Sequence, residues 1–266
     1  MENGTVNHEM ETASTVTIKG ILSLLMQNVD GNNCQRLSSL ADDVFITSGC
    51  TQSIDVAALA MLARPGANIL IPRPGFPIYE LCATFRRIEI RYFDLPEKGW
   101  EVDLDLVEAL ADQNTVSIVI INPGNPFGNV YSYQHLEKIA ETTEKLKIPV
   151  IADEVYGHLV FGHNQFVPMG VFGSIVPVLN LGSLSKRWIV PGWRLGLFFI
   201  NDPSGMFKNP KIIERIKKYF DILGGPATFI QVFTVFFSWL SDGCRKRQFR
   251  VSSSKLTRVS SRKPVF

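Results

Sequence analysis

Apolar residues in this chain follow two rhythms. Short, largely apolar runs fall at 44–46, 68–71, 88–93, 116–121, 149–152, 176–181 and 195–200. Between several of them, apolar residues recur every three or four positions, as at 104–111, 132–146 and 211–219. A continuous apolar run bounded by turn residues suits a strand buried on both faces, and the three-to-four spacing suits an amphipathic helix. A further helix is expected from the end of the first run to Leu62, where Arg64-Pro-Gly ends it. The alternation predicts an α/β domain with a mostly parallel sheet of seven strands flanked by helices. Near the N-terminus, residues 15–28 place Ile18, Ile21, Leu22, Leu25 and Met26 on one helical face, and Asp30-Gly-Asn-Asn then breaks the pattern.

Composition narrows the class. The 266 residues are 45% hydrophobic and 20% charged, which fits a globular chain rather than a disordered one. No run has the apolar length needed to cross a bilayer, and the polar first ten residues do not read as a secretory signal. Cys34, Cys50, Cys82 and Cys244 are scattered without a close pair, so reduced thiols in a cytoplasmic setting are expected, with no metal site. The net charge of +2 conceals an asymmetry: residues 238–266 hold eight Lys and Arg against the single acid Asp242. The rest of the chain is therefore acidic, with 19 basic residues against 24 acidic ones. The tail carries no nucleic-acid-binding motif and reads as solvated, so neither nucleic acid nor membrane is expected as a partner.

In open α/β sheets, ligands gather at the carboxyl ends of strands, and the polar motifs of this chain fall there. Residues 182–196 read Gly-Ser-Leu-Ser-Lys-Arg-Trp-Ile-Val-Pro-Gly-Trp-Arg-Leu-Gly. Lys186 and Arg194 stand between two strand runs, where burying an unpaired ammonium is expensive. A desolvated amine that attacks a carbonyl is one resolution, and Ser183, Ser185 and Arg194 offer an anion site beside it. The other reading is a surface loop with ordinary basic residues. At 48–51, Ser-Gly-Cys-Thr closes a strand and opens a helix, which makes either an anion site or a simple cap. Residues 72–79, Pro-Arg-Pro-Gly-Phe-Pro-Ile-Tyr, read as a rigid extended loop displaying Phe76, with Phe76 and Tyr79 as core aromatics in the alternative. Residues 122–128, Asn-Pro-Gly-Asn-Pro-Phe-Gly, make a turn with two amide side chains. At 151–157, Ile-Ala-Asp-Glu-Val-Tyr-Gly puts Asp153 at a strand end, as a helix cap or as a buried carboxylate with work to do.

Taken together, these strings resemble the class I/II, fold-type I aminotransferases, over roughly 42–231. The lysine segment is most similar to the plant tyrosine aminotransferase group and its C–S lyase relatives. The resemblance implies pyridoxal 5'-phosphate (PLP) as cofactor, bound through Lys186. It implies phosphate contacts from Gly49, Cys50, Thr51, Ser183, Ser185 and Arg194, ring stacking by Phe76, and a bond from Asn125 to the phenolic oxygen. Asp153 is expected on the pyridine nitrogen and Tyr156 near the phenolic oxygen, so that Lys186, Asp153 and Tyr156 form the catalytic set. Glu154 and His158 are expected to be structural or solvent-facing, and Phe127 stands where the family often has a smaller residue. The implied partners are an amino acid (tyrosine or another aromatic one), a 2-oxo acid such as 2-oxoglutarate, and a second subunit in a homodimer. The alternatives are C–S lysis of cysteine S-conjugates and a non-catalytic PLP-binding or dimer-partner fragment.

The same resemblance sets the domain expectations. Residues 1–12 are a disordered N-terminus, 13–41 an N-terminal helix with a shortened linker, 42–231 the PLP-binding large domain and 232–266 an atypical basic tail. The family's small domain, which carries the arginine that clamps a substrate carboxylate, is expected to be largely missing. The apolar run within 233–240 is an aggregation hazard unless it packs.

Overall fold

In a computed structural model, the described residues are 44–62, 64–97, 99–162, 165–207, 216, 218–219, 225–230 and 232–233. The chain divides into two compact units, Asp42–Pro226 and the pair of terminal segments, and the fold described here is that of the first. The expected helix at 15–28, the linker before residue 42, Cys34 and Cys244, nearly all of the expected helix at 211–219 and nearly all of the basic tail lie outside the described residues.

Seven strands form one sheet: β1 (Val44–Thr47), β2 (Asn68–Arg73), β3 (Glu89–Asp94), β4 (Thr115–Ile121), β5 (Val150–Asp153), β6 (Val178–Ser183) and β7 (Gly196–Asn201). Their order is β1-β7-β6-β5-β4-β2-β3. Every neighbouring pair is parallel except those made by β7, which runs antiparallel to both β1 and β6. The central strands are mainly apolar because helices cover both faces, and their few polar residues, such as Ser117 and Asn180, are buried with them. In β4, Ile118 and Val119 point to opposite sides and are both fully buried. Each such side chain contributes about 1.5–3 kcal/mol relative to exposure.

Helix α1 (Cys50–Leu62) and helix α2 (Ile78–Phe85) cover one face, where Ile54, Val56 and Ala83 meet Ile69, Ile151 and Leu181. Helix α3 (Leu104–Leu110) and helix α4 (Tyr133–Lys145) cover the other, where Val107, Leu136 and Ile139 meet Leu70, Ile120 and Val150. Local chemistry starts two of these helices. The Asp103 carboxylate accepts the Leu106 N–H at 3.1 Å, and the Ser132 hydroxyl accepts the His135 N–H at 3.1 Å.

Sequence reading missed α2, since the proline-rich stretch had been taken as extended through Tyr79. Pro77 instead stands just before the first helical residue with φ −67°. Its fixed φ already suits a helix, and its missing N–H is one that a first turn leaves unbonded anyway. The strand expected at 176–181 lies two residues later and reaches Ser183. Residue pairing decides this, since β6 is held to β7 through the partners Ser183 and Gly196.

His135 joins α4 to the neighbouring loop. Its buried Nε2 accepts the Val102 N–H at 3.1 Å, which requires a neutral ring. Burial lowers its pKa below the ordinary 6.5, the Glu101 carboxylate works against this, and Lys138 adds to it. The folded protein therefore resists a proton that the unfolded chain accepts, and this contribution to stability is present above about pH 6.5 and is lost as the pH falls. Urea unfolding midpoints should fall between about pH 7 and about pH 5. In His135→Phe the slope should flatten, from a starting stability lower by about 1–3 kcal/mol for the unsatisfied Val102 N–H. An unchanged slope would remove His135 from this role.

Candidate active site

The carboxyl ends of β4, β5 and β6 and the N-terminus of α1 surround a cleft of about 180 Å³. Cys50, Thr51, Phe76, Asn125, Asp153, Tyr156, Ser183, Ser185, Lys186 and Arg194 all line it, with Ile54, Ile121, Val155 and Pro191. Of the residues singled out from sequence, only Gly49 is absent from the lining, and it lies directly behind it.

One end of the cleft suits an anion. The first N–H groups of α1 have no carbonyl within the helix to bond, and the helix dipole adds to their pull. Gly49, at φ +80°, delivers the chain into that helix. The Arg194 guanidinium lies so close that a Cβ on Gly49 would stand 2.1 Å from its Nη2. Arg194 donates to the Pro191 carbonyl at 3.1 Å and reaches the Ser48 carbonyl at 3.4 Å. Gly196 brings β7 against the same turn, and a Cβ there would lie 2.5 Å from the Gly49 carbonyl carbon and 2.6 Å from Cys50 N. The two glycines thus allow the helix start and the arginine to share one corner.

The lysine segment is a single helical turn, α5 (Leu184–Arg187), directly after β6. Ser183 caps it: its Oγ accepts the Ser185 N–H at 3.0 Å and lies 2.9 Å from Ser185 Oγ and 3.1 Å from the Leu195 carbonyl. The Ser183 hydroxyl is therefore engaged in shaping the turn, while Ser185 is less enclosed. Lys186 is exposed, contrary to the desolvated lysine expected from its apolar flanks. The short turn buries Leu184 instead and lifts the lysine into the open cleft, where Nζ stands 5.7 Å from the centre of the Tyr156 ring.

The cleft lining also holds a buried carboxylate. Asp153 is the last residue of β5, paired in the ladder with Ile121 and Leu181, and is 3% exposed. Oδ2 accepts the Tyr79 hydroxyl at 2.9 Å, and Oδ1 lies 3.4 Å from the Val155 N–H. Burial raises the Asp153 pKa, and these two bonds oppose the rise. Tyr79 is the residue whose part here sequence reading missed. The available signal was spacing, since three residues after Phe76 places Tyr79 one turn along if a helix begins between them.

The two asparagines of the 122–128 turn divide their roles. Asn122 is buried, its Oδ1 accepting the Tyr131 N–H at 3.1 Å and its Nδ2 donating to the Val167 carbonyl at 3.4 Å, so it holds the turn. Asn125 faces the cleft. Phe127 stacks on Trp100 with ring centres 3.6 Å apart and stays out of this cleft. Glu154 is partly buried and accepts the Met169 N–H at 2.6 Å. Burial first, then the neighbouring Asp153 charge, pushes it up to about 8 against the pull of that bond. His158, also partly buried, is pushed down to about 4 by burial and by Arg187, with a hydrogen bond to the Lys186 backbone opposing. Both residues support the walls of the site. Burial also raises the Cys50 thiol well above its usual range, with Asp153 adding and Arg194 opposing. Among the described residues no cluster of His, Cys, Asp and Glu fits a metal ion, and no helix is long and apolar enough to cross a membrane.

The donor set can be tested against the implied cofactor. A phosphate needs oriented N–H groups and a cation, and the α1 start with Arg194 supplies both. A pyridinium nitrogen needs a buried carboxylate at the far end, which Asp153 supplies. A carbonyl carbon needs an amine in reach of the cleft, which Lys186 supplies. The residues present fit PLP.

Comparison with known proteins identifies a family. The sequence model of the aminotransferase class I and II family matches residues 13–252. The probable aminotransferase TAT2 of Arabidopsis thaliana is 80% identical over 191 residues, which cover 71% of this chain and 46% of that protein. The S-alkyl-thiohydroximate lyase SUR1 of the same plant is 55% identical over 191 residues, covering 71% of this chain and 41% of the relative. A crystal structure of tyrosine aminotransferase from Leishmania infantum superposes with a TM-score of 0.75 at 30% identity, over 83% of this chain and 59% of that one. The chain thus spans under half the length of these two curated relatives.

The close approach at Gly196 makes a direct prediction. Gly196→Ala should destabilise the protein by about 1–3 kcal/mol in urea unfolding, because the added methyl meets backbone rather than a movable side chain. Gly49→Ala meets the movable end of Arg194 and should act chiefly through its positive φ and a displaced guanidinium. Equal stability of Gly196→Ala and the parent would show that the corner is looser than this packing.

Proposed function

The chain belongs to the class I and II aminotransferases, and from that premise we propose that its cleft binds PLP and moves an amino group from an L-amino acid to a 2-oxo acid. The observation that carries the reading is the single cleft joining an amine, a buried carboxylate and an anion site at the sheet's carboxyl edge. Bound there, PLP would withdraw electrons from the substrate's α-carbon and so make its proton removable.

Each residue then has a task. The α1 N-terminus, Thr51, Ser185 and Arg194 hold the phosphate, and Gly49 and Ser183 shape the two turns that present them. Phe76 covers a ring face, worth about 1 kcal/mol beyond its burial. Asn125 and Tyr156 take the phenolic oxygen. Asp153 keeps a proton on the ring nitrogen, because a buried anion beside that atom favours the charged ring. Lys186 is the group that removes the α-proton and returns it elsewhere, and its open position gives it the needed reach.

The amino donor in this reading is tyrosine or another aromatic amino acid, with 2-oxoglutarate as acceptor, and the working form is a homodimer. The 80% identity to a protein named a probable aminotransferase supports transfer over lysis. Cleavage of a C–S bond in a cysteine S-conjugate is the second reading, favoured by the 55% identity to a named lyase. The residues of this cleft serve proton removal in both.

Addition of PLP to the purified chain should give a visible absorption band that Lys186→Ala lacks. Tyrosine with 2-oxoglutarate should then yield glutamate, at a rate about 100-fold or more below the parent in Lys186→Ala. Thiol release from an S-conjugate without glutamate formation would favour the lyase. A band indifferent to every amino acid would leave a PLP-binding protein without turnover, and absence of the band would overturn the reading. Sedimentation of the loaded chain tests the homodimer.

A further inference from the structure

The least explained contact at the site lies behind it. Tyr79 is 3% exposed, belongs to the core between α2 and the sheet, and gives its hydroxyl proton to Asp153 Oδ2 at 2.9 Å. A buried tyrosine hydroxyl needs a partner, and here that partner is the carboxylate at the cleft, whereas phenylalanine would fill the same space without donating to it. We propose that Tyr79 is a positioning residue for the reaction, whose hydroxyl fixes the Asp153 carboxylate in place and stabilises it as an anion facing the cleft. The proposal deepens the PLP reading above and rests on it.

The geometry carries this in three steps. First, Asp153 is buried, and a buried carboxylate without donors takes up a proton instead of remaining charged. Its donors among the described residues are the Tyr79 hydroxyl, at a good distance, and the Val155 N–H, at a long one. The hydroxyl is thus the principal support of the anion. Second, the donor cannot change sign. Burial foremost, and then the Asp153 charge, hold the Tyr79 phenol well above its ordinary pKa, so it stays a donor wherever the protein is folded. Third, the placement is built into the same turn as the ring contact. The Tyr79 N–H is bonded to the Phe76 carbonyl at 3.4 Å, and Phe76 lines the cleft. A single helix start thereby sets a ring face and the back of the carboxylate together.

The consequence concerns where a proton rests. Between a carboxylate and a pyridine nitrogen, one proton can sit on either partner. A hydrogen bond donated to the carboxylate favours the anion and leaves the proton on the ring. Other charged or titratable groups near Asp153 are Glu154 beside it in sequence and, in the same cleft lining, Cys50, Tyr156, Lys186 and Arg194. A charged Glu154 would oppose the anion, and the support at Asp153 itself comes from the Tyr79 and Val155 bonds. The test must therefore isolate the Tyr79 hydroxyl.

The variant is Tyr79→Phe in the full chain, with Asp153→Asn to assign signals. In the cofactor-free protein, infrared difference titration should show the Asp153 carboxyl protonating about one to two pH units higher in Tyr79→Phe than in the parent. With PLP labelled at the ring nitrogen, the nitrogen-15 resonance should move from the protonated towards the unprotonated position. Thermal unfolding checks that the variant keeps its fold. Should it not fold, the carbon-13 shift of Tyr79 Cζ in the parent, followed against pH, must track the Asp153 titration. An Asp153 midpoint unmoved by loss of the hydroxyl, or a Tyr79 resonance blind to it, overturns the proposal. Failure of the parent to bind PLP overturns the functional reading instead, while the cofactor-free titration still decides whether Tyr79 holds Asp153.

Discussion

Asp153 is a carboxylate at the end of a central strand, buried where water cannot stabilise its charge. Much of the surrounding structure follows from that constraint. The strand end cannot carry the aspartate as an isolated anion, so neighbouring groups must donate to it. The Tyr79 hydroxyl and the Val155 N–H do so, from a helix on one side and from the turn that follows β5 on the other. Helix α2 therefore does more than cover the sheet. Its start after Pro77 places Tyr79 against the carboxylate and leaves Phe76 at the mouth of the cleft.

At the other end the demand is reversed. An anion has to be welcomed, and α1 does this by pointing its unbonded N–H groups at the cleft. Arg194 can join them because Gly49 leaves no side-chain atom in its way, while Gly196 lets β7 approach the same turn. The antiparallel strand β7 brings both Arg194 and Gly196 back to the start of α1, although they lie far away in sequence. The reversed strand direction is therefore tied to the site, since a parallel β7 would deliver its first residues to the opposite edge of the sheet. Lys186 lines the same cleft, on a turn too short to bury it and capped by Ser183.

Much of this was legible in the residues alone. Runs such as 116–121 read as strands buried on both faces and the periodic segment at 132–146 as a helix, and their alternation gave the α/β layering. Motifs at the ends of such runs fall at one edge of a parallel sheet, and the resemblance to the aminotransferases implied that Cys50, Asn125, Asp153, Ser185 and Lys186 share a site there, as they share a cleft. Where reading went astray, local and tertiary forces gave different answers. The prolines at 72–77 suggested extension, yet the last of them starts a helix. The apolar flanks of Lys186 suggested burial, yet a one-turn helix lifts it out. The strand at 178–183 was displaced because its limits are set by pairing with β7, and composition says nothing of pairing.

The division has a physical basis. Sequence by itself determined the order of elements, their layering and the chemical types gathered at the sheet edge, because hydrophobic period and turn chemistry act between near neighbours. Tertiary structure alone decided that Asn122 holds a turn, that Ser183 is engaged in a cap, and that Tyr79 stands behind Asp153. Those roles depend on which distant atom supplies the partner for a polar group. A hydrogen bond between residues 74 positions apart leaves no trace in the periodicity of either segment.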